Sequence, residues 1–578
     1  MTIVFKRKSF SLAFAANNIS LHGFRVMGRS VRKYWVVIVV LLLGACANIV
    51  APTGGPKDTK PPVVVKTTPL NGSKQFAGKS VRIDFNKFVK LNDAATEVVV
   101  SPFMKQSPEF KIKGRSIVVN FNDTLKPNTT YSIAFGKAIA DINEGNVLLN
   151  FRYVFSTGNF IDSLTLKGIV RNALTQKAES GVVVMLYDSN NDSLPYKKTP
   201  FYISRTDESG KFNFSNLRNG KFKLFALKDA NNDFLYDEPT EMIAFGDSLI
   251  TPEPLDTAKA DSMKKNRSYS LSLFAEMPAK QKKLKAAAVR YGKLMLAFRK
   301  AVGDFSVNSL SRDLPNSAIL PEFSKTRDTV YLWMKKPDVD SLTVQVKDNN
   351  FTDTAVFKLV KKATKQSNRK GDDGKGISLS AGVNNNGTFD FFKMMRISSS
   401  TPIDYFDFDK IILTEGKDTV KTKFVFVDSI KRNAQMNFKF KEETSYTLFI
   451  PPGTFKDFLG NANDTFKIHF STSAMKNYGN IKLTLSSQNM PCKMIVQLVN
   501  DNDVVIQEKF SGSNEVVNFI YVNPGSYKIK AICDENNNKI WDTGNYLKKI
   551  QPEKVFYYPA SITAKANWDM DLKWEVSH

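Results

Sequence analysis

Residues 220–237, GKFKLFALKDANNDFLYD, return as residues 525–542, GSYKIKAICDENNNKIWD, at a constant offset of 305. Seven of the eighteen positions are identical, among them Gly220, Asp229, Asn231, Asn232 and Asp237, and six more are conservative exchanges such as Phe222 for Tyr527 and Tyr236 for Trp541. An ungapped match of this length marks a duplicated module. In each copy a Gly opens an apolar strand-like run, and an Asp/Asn-rich turn closes it.

A second repeat surrounds the first at an offset of 315. Thr129 and Tyr131 match Thr444 and Tyr446, Gly145 and Asn146 match Gly460 and Asn461, and Phe155-Ser-Thr157 matches Phe470-Ser-Thr472. Upstream of Phe155 the pattern is one of short strands, such as VRIDF (81–85) and SIVVNF (116–121), with turn clusters at 71–72, 122–123 and 145–146. A weaker third copy begins at Gly292, where GKLMLAFRKAV echoes GKSVRIDFNKFV. Strands are expected after Gly292, while the Lys-, Ala- and Gln-rich composition of 280–291 also suits a helix.

Pro69…Gly72, VRIDFNKFV, LKPNTTYSI, DINEGN and the closing Phe-Ser-Thr resemble the S-layer-type bacterial Ig-like domain, which implies a β-sandwich over 63–157. The segments SLTLKGIVRN, GVVVMLYD and TDESGKFNFSNLRNGKFKLFAL resemble the carboxypeptidase-regulatory, transthyretin-like fold. The second copy, IKLTLSS, CKMIVQLVND and VNFIYVNPGSYKIKAI, lacks the Thr-Asp-x-x-Gly turn, so there the resemblance rests on strand order. The expected fold class is therefore all-β, with tandem β-sandwich domains after a lipoprotein signal peptide. The divisions are a signal at 1–46, a tether at 47–62, an Ig-like domain at 63–158 and a transthyretin-like module with its linker at 162–275. A middle β-sandwich of Ig-like type at 280–360, a second Ig-like domain at 376–474 and a second transthyretin-like module at 476–578 follow. The stretches 251–267 and 361–375 read as exposed connectors.

The N-terminus supplies an address. Arg25, Arg29, Arg32 and Lys33 precede the apolar run 34–43, which is too short to span a bilayer, and Leu43-Gly44-Ala45-Cys46 follows. Leu-Gly-Ala-Cys resembles the lipobox of bacterial lipoproteins, which implies a diacylated (palmitate-type) Cys46 as the mature N-terminus. Residues 1–26 lack the signal pattern, so Met27 is the expected start. Ala47 after the cysteine, and no acidic cluster beyond it, imply by analogy the periplasmic face of the outer membrane, as in the Ig-like-domain lipoproteins of Bacteroidota.

The formal charge is +26, and removing 1–45 takes away seven Lys/Arg and no acids, leaving 75 − 56 = +19. That excess reads either as a solubilising surface or as attraction to a polyanionic cell-wall polymer. No motif for nucleic acid accompanies it. Besides that polymer, the expected partners are the membrane, through the lipid, and envelope proteins. Three His and three Cys show no zinc spacing. Cys492 and Cys533 share one module, so they are either bridged or two buried thiols.

No G-x-S-x-G, HExxH or phosphate-cradling loop is present, and no enzyme is expected. The repeated turns are the best local constellation. Asp229, Asn231, Asp233 and Asp237, and likewise Asp534, Asn536, Asn538 and Asp542, occupy positions 1, 3, 5 and 9 of a calcium-loop frame. Position 6, however, is Phe234 or Lys539 instead of Gly, and position 12 is Thr240 or Asn545 instead of Glu. Two readings stand: a Ca²⁺ site, or polar turns whose Asx side chains bond their own backbone. Tyr236 and Trp541 likewise read as core aromatics or as sugar-stacking faces. The expected function is a membrane-anchored, non-enzymatic binding or assembly lipoprotein. Its rivals are a surface glycan-binding lipoprotein and an exported hydrolase with a carboxylate pair.

Overall fold

The computed structural model describes residues 57–576 except 255–266, 312–313, 361–376, 385–386, 487–489, 491 and 513. The signal segment, Cys46 and most of the tether lie outside the described residues. The regular structure of the described residues is almost entirely β-strand, with only short helical turns.

The first domain is a sandwich. One sheet runs in the order Val64–Thr68, Ser80–Phe85, Ser116–Asn120, Glu109–Lys113, and the other holds Val99–Ser101, Thr130–Ala134 and Arg152–Ser156. Alternation in SVRIDF points Val81, Ile83 and Phe85 into the core, where the first two are fully buried. Each such side chain contributes about 1.5–3 kcal/mol of burial. Tyr131 stacks on Phe155 with centroids 5.3 Å apart.

The same strand order recurs twice. In the middle domain, Lys283–Arg290, Lys293–Phe298, Thr329–Met334 and Ile319–Phe323 form one sheet, and Phe305–Ser309, Ser341–Asp348 and Phe351–Lys358 form the other. The 280–291 stretch is thus mostly strand. Lys283–Arg290 pairs antiparallel with Lys293–Phe298 around Gly292 (φ 72°), and this pairing overrides the helical composition. In the fourth domain the first sheet runs Leu379–Ser380, Arg396–Ser399, Asn433–Asn437, Lys423–Phe426. The opposite sheet is built on Ile412–Glu415, Ser445–Ile450 and Phe466–Thr472.

The second and fifth domains share another topology. Leu164–Asn172 pairs parallel with Ser268–Leu273 and antiparallel with Lys211–Leu217. Gly479–Ser486 pairs parallel with Asp569–Glu575 and antiparallel with Asn514–Val522. The opposing sheets centre on Val183–Tyr187 beside Lys223–Lys228, and on Lys493–Asn500 beside Gly525–Asp534. Gly210 (φ 72°) sits in the Thr-Asp-x-x-Gly turn, where a Cβ would lie 2.6 Å from the Val170 carbonyl. The start of the 251–267 connector is not free, since Glu253–Pro254 pairs with Thr165 and Leu164.

Candidate functional site: the paired loops and the junction beside them

The strand Lys223–Lys228 delivers Asp229 to the first repeated turn. One carboxylate oxygen of Asp229 accepts the Asn232 N–H at 2.6 Å and the other accepts that of Phe234 at 3.0 Å. Asn231 Oδ1 accepts the Asp233 N–H at 3.1 Å, and Asp233 Oδ1 accepts that of Leu235 at 2.8 Å. Asn232 and Phe234 take left-handed φ values of 62° and 64°. The left-handed backbone that a calcium loop obtains from Gly is thus adopted here by Phe234.

The second turn repeats this ladder. Asp534 accepts N–H bonds from Asn538 at 3.1 Å and Lys539 at 2.9 Å, Asn536 accepts from Asn538 at 3.0 Å, and Asn538 accepts from Ile540 at 2.9 Å. The side-chain amides of Asn536 and Asn538 both donate to Asp542 Oδ2, at 2.5 and 2.7 Å. Asp237 differs from Asp542, because its backbone N–H, not its carboxylate, is the part tied into the loop.

A buried glutamate closes each turn. Glu241, 1 % exposed, accepts the N–H groups of Ala230, Asp237 and Glu238, each at 3.1 Å. Glu553 accepts those of Glu535 and Asp542, both at 2.9 Å, and burial pushes its carboxyl up. Sequence reading missed these residues because the 305 offset places Tyr546, not Glu553, opposite Glu241. Among the described residues, no group of three or more His, Cys, Asp or Glu side chains is arranged to hold a metal ion. The geometry in hand is that of Asx turns clamped by a glutamate.

Both turns border one junction between the second and fifth domains. Tyr236 is buried, and Trp541, half-buried, donates its indole N–H to the Glu553 carbonyl at 2.9 Å. Both therefore pack, and neither is an open sugar platform. The insertion between Asp542 and Glu553 reaches into the first module. Tyr546, 3 % exposed, enters a nest of Tyr187, Tyr196, Phe225, Phe245 and Phe274. Glu276 accepts both the Tyr546 N–H and the Tyr236 hydroxyl, the latter at 3.2 Å. Around this plug, Gln551 donates to the Phe245 carbonyl at 3.0 Å, Thr543 donates to the Ala275 carbonyl at 2.6 Å, and Lys549 pairs with Asp192 at 3.1 Å. Leu174 packs on Ile495, Ile532 and Val555, and Lys177 pairs with Asp503 at 2.6 Å.

Other contacts tie in the Ig-like sandwiches. Phe103 meets Phe234 edge-on at 5.2 Å. Between the third and fourth domains, Arg432 pairs with Glu322 and lies 5.3 Å over the Trp333 ring, whose N–H donates to Glu322 at 2.8 Å. Cys492 and Cys533 are bridged within the last module, with Cα atoms 5.5 Å apart. A shallow hollow is lined by Thr165, Lys167, Glu253, Arg267 and Tyr269.

No curated protein matches the chain at a significant level. Solved structures that it resembles include the S-layer protein SbsC, at 12 % identity and TM-score 0.14, covering 82 % of this chain and 66 % of that one. The Bacillus anthracis TIE protein aligns at 10 % identity and TM-score 0.14, covering 96 % and 80 %. The Bacillus cereus major pilin subunit BcpA aligns at 13 % identity and TM-score 0.13, covering 72 % and 99 %. Whole-chain superposition at these scores is poor. At the domain level, residues 58–157 match the bacterial Ig-like domain family.

Proposed function

We propose that this chain is an envelope lipoprotein, held by lipid on Cys46 to the periplasmic face of the outer membrane, where it acts as a non-enzymatic binding or assembly module. The observation that carries the reading is the return of the last module onto the second domain through Tyr546 and Glu276. The third domain packs on the fourth, and the fourth on the fifth, so the chain closes on itself. A closed frame of sandwiches holds surfaces in fixed relation to one another, which suits binding and assembly. The lipid anchor rests on the Leu-Gly-Ala-Cys succession alone.

The test is fractionation and protease treatment of intact cells, with Cys46→Ser as control. Wild-type chain is expected in the outer-membrane fraction and protected until the membrane is opened, while the variant leaves the membrane. A wild-type mass that retains residues 34–43 would overturn the anchor, and digestion in intact cells would move the protein to the surface.

A further inference from the structure

We propose that the end of the last module that faces the fourth domain binds an acidic glycan, with Trp568 stacking on a sugar ring and Lys565 holding its carboxylate or phosphate. This deepens the reading of the chain as a binding protein and is independent of the lipid anchor.

Trp568 is 54 % exposed, unusual for so large an apolar side chain. It is nevertheless held firmly. Its carbonyl accepts the Asn480 N–H at 3.1 Å, and the preceding Asn567, at φ 54°, donates its N–H to the Tyr478 carbonyl at 2.9 Å. A Cβ on Gly479 would lie 2.5 Å from the Lys565 carbonyl and 2.9 Å from that of Trp568, so only Gly lets the turn 565–568 lie this close. An indole on a fixed backbone loses little conformational freedom when it is covered.

The charge beside it is positive and free to act. The Lys565 ammonium sits 4.7 Å from the Trp568 ring centroid and has no ion-pair partner among the described residues. The neighbouring carboxylates are engaged: Asp569 accepts from the Asn480 amide at 2.8 Å, and Asp390 takes the Tyr478 hydroxyl and Lys393, both at 2.6 Å. A cation over an aromatic face is held by the ring quadrupole and remains open to an anion.

A second aromatic surface lies at the same end. Phe392 of the fourth domain, 36 % exposed, stacks on Tyr521 at 4.4 Å and 11°. Tyr521 donates its N–H to Asn480 Oδ1 at 3.1 Å, so Tyr521 and Trp568 flank the same residue on neighbouring strands. Two strand spacings, about 10 Å, separate their backbones, a span that a short oligosaccharide bridges. Sugar rings offer C–H faces to aromatic platforms and hydroxyls to water, which matches exposed rings on a polar rim better than a peptide would. The net charge, +19 even without residues 1–45 (75 − 56), favours an acidic polymer over a neutral one.

Calorimetry of the full chain in detergent tests the site with three probes: pentagalacturonate, a phosphorylated maltopentaose and neutral cellopentaose. At least one acidic probe should bind more tightly than the neutral one and weaken with salt. Trp568→Ala should cost about tenfold or more in affinity, while Trp568→Phe should retain most of it. Lys565→Gln should bring the acidic probe down to the level of the neutral one. Which acidic probe binds decides between carboxylate and phosphate. Equal binding of acidic and neutral probes, unmoved by Lys565→Gln, would overturn the acidic class. No binding at millimolar probe, or binding indifferent to Trp568→Ala in a variant that melts like wild type, would overturn the site.

Discussion

The ring of Tyr546 meets that of Phe225 edge-on, with centroids 5.2 Å apart and planes at 88°, although one belongs to the last module and the other to the second domain. The Tyr546 hydroxyl is buried without a hydrogen-bond partner among the described residues. Ring and hydroxyl therefore contribute with opposite sign. Tyr546→Ala should destabilise the closed chain by roughly 3–5 kcal/mol, the usual cost of truncating a buried aromatic. Tyr546→Phe should be neutral or stabilising by up to about 1 kcal/mol, because it removes an unpaired polar atom. Urea denaturation distinguishes the two. A Phe variant as damaged as the Ala variant would mean that the hydroxyl has a partner.

The same nest makes the junction alkali-sensitive. Burial, with Glu276 close by, pushes the Tyr196 phenol up to about 12, and burial likewise raises Tyr187, Tyr236 and Tyr546. A phenol whose folded pKa lies above its unfolded value of about 10 contributes stability that is fully present below pH 10. That contribution is lost as pH climbs through the folded value. The closed form should accordingly hold its melting temperature up to about pH 10 and lose it steeply above. Tyrosinate absorbance should appear together with the loss of near-ultraviolet dichroism. Early titration of these tyrosines in a still-folded chain would contradict their burial.

The bridge between Cys492 and Cys533 closes a loop with a sequence separation of 41. In the chain-entropy account this restrains the unfolded state by about 4 kcal/mol. Labelling under denaturing, non-reducing conditions should find neither of these thiols. The paired Cys492→Ala, Cys533→Ala variant should melt earlier than wild type by an amount that reductant also produces in wild type and no longer produces in the variant. Two reactive thiols in unreduced protein would remove the bridge.

How far the fold is legible follows from what each residue's neighbours are. The matched pairs at offset 315 are local anchors, and their roles coincide. Tyr131 and Tyr446 hydroxyls accept the N–H of Lys126 and Lys441, while Thr157 and Thr472 hydroxyls donate to the carbonyls of those same lysines. Asp141 and Asp457 fold DINEGN and DFLGN by accepting N–H groups of their own turns, so the missing residue is absorbed within the loop. The strand at 283–290 was ambiguous because its propensity is helical and only its pairing partner makes it extended. The junction was not legible at all. Tyr546 is one aromatic in an insertion, and what buries it is a pocket built from a distant domain. Glu241 and Glu553 escaped for a related reason, since the inserted plug shifts one of them out of register.

The last prediction concerns the repeated turns, whose spacing also fits a calcium loop. In each, the glutamate that could serve as a strong ligand turns its oxygens onto backbone N–H groups, and in the second, two asparagine amides already donate hydrogen bonds to Asp542 Oδ2. Loops that keep these hydrogen bonds are expected to gain little from a cation. Asp229→Ala should lower the stability of the full chain by about 1 kcal/mol, since the N–H groups of Asn232 and Phe234 lose their acceptors while solvent still reaches them. Asp534→Ala, at a buried site, should cost more, up to about 3 kcal/mol. Both losses should be the same in EDTA and in millimolar CaCl₂, and the wild-type melting curve should not move between the two. A ligand bound only to the folded state at a hundredfold excess over its dissociation constant would add about 2.7 kcal/mol, which a melting curve resolves easily. A calcium-dependent rise of that size, abolished by Asp229→Ala, would show the Asp229 and Asp233 oxygens gathered on a cation and would overturn the reading of these loops as turns.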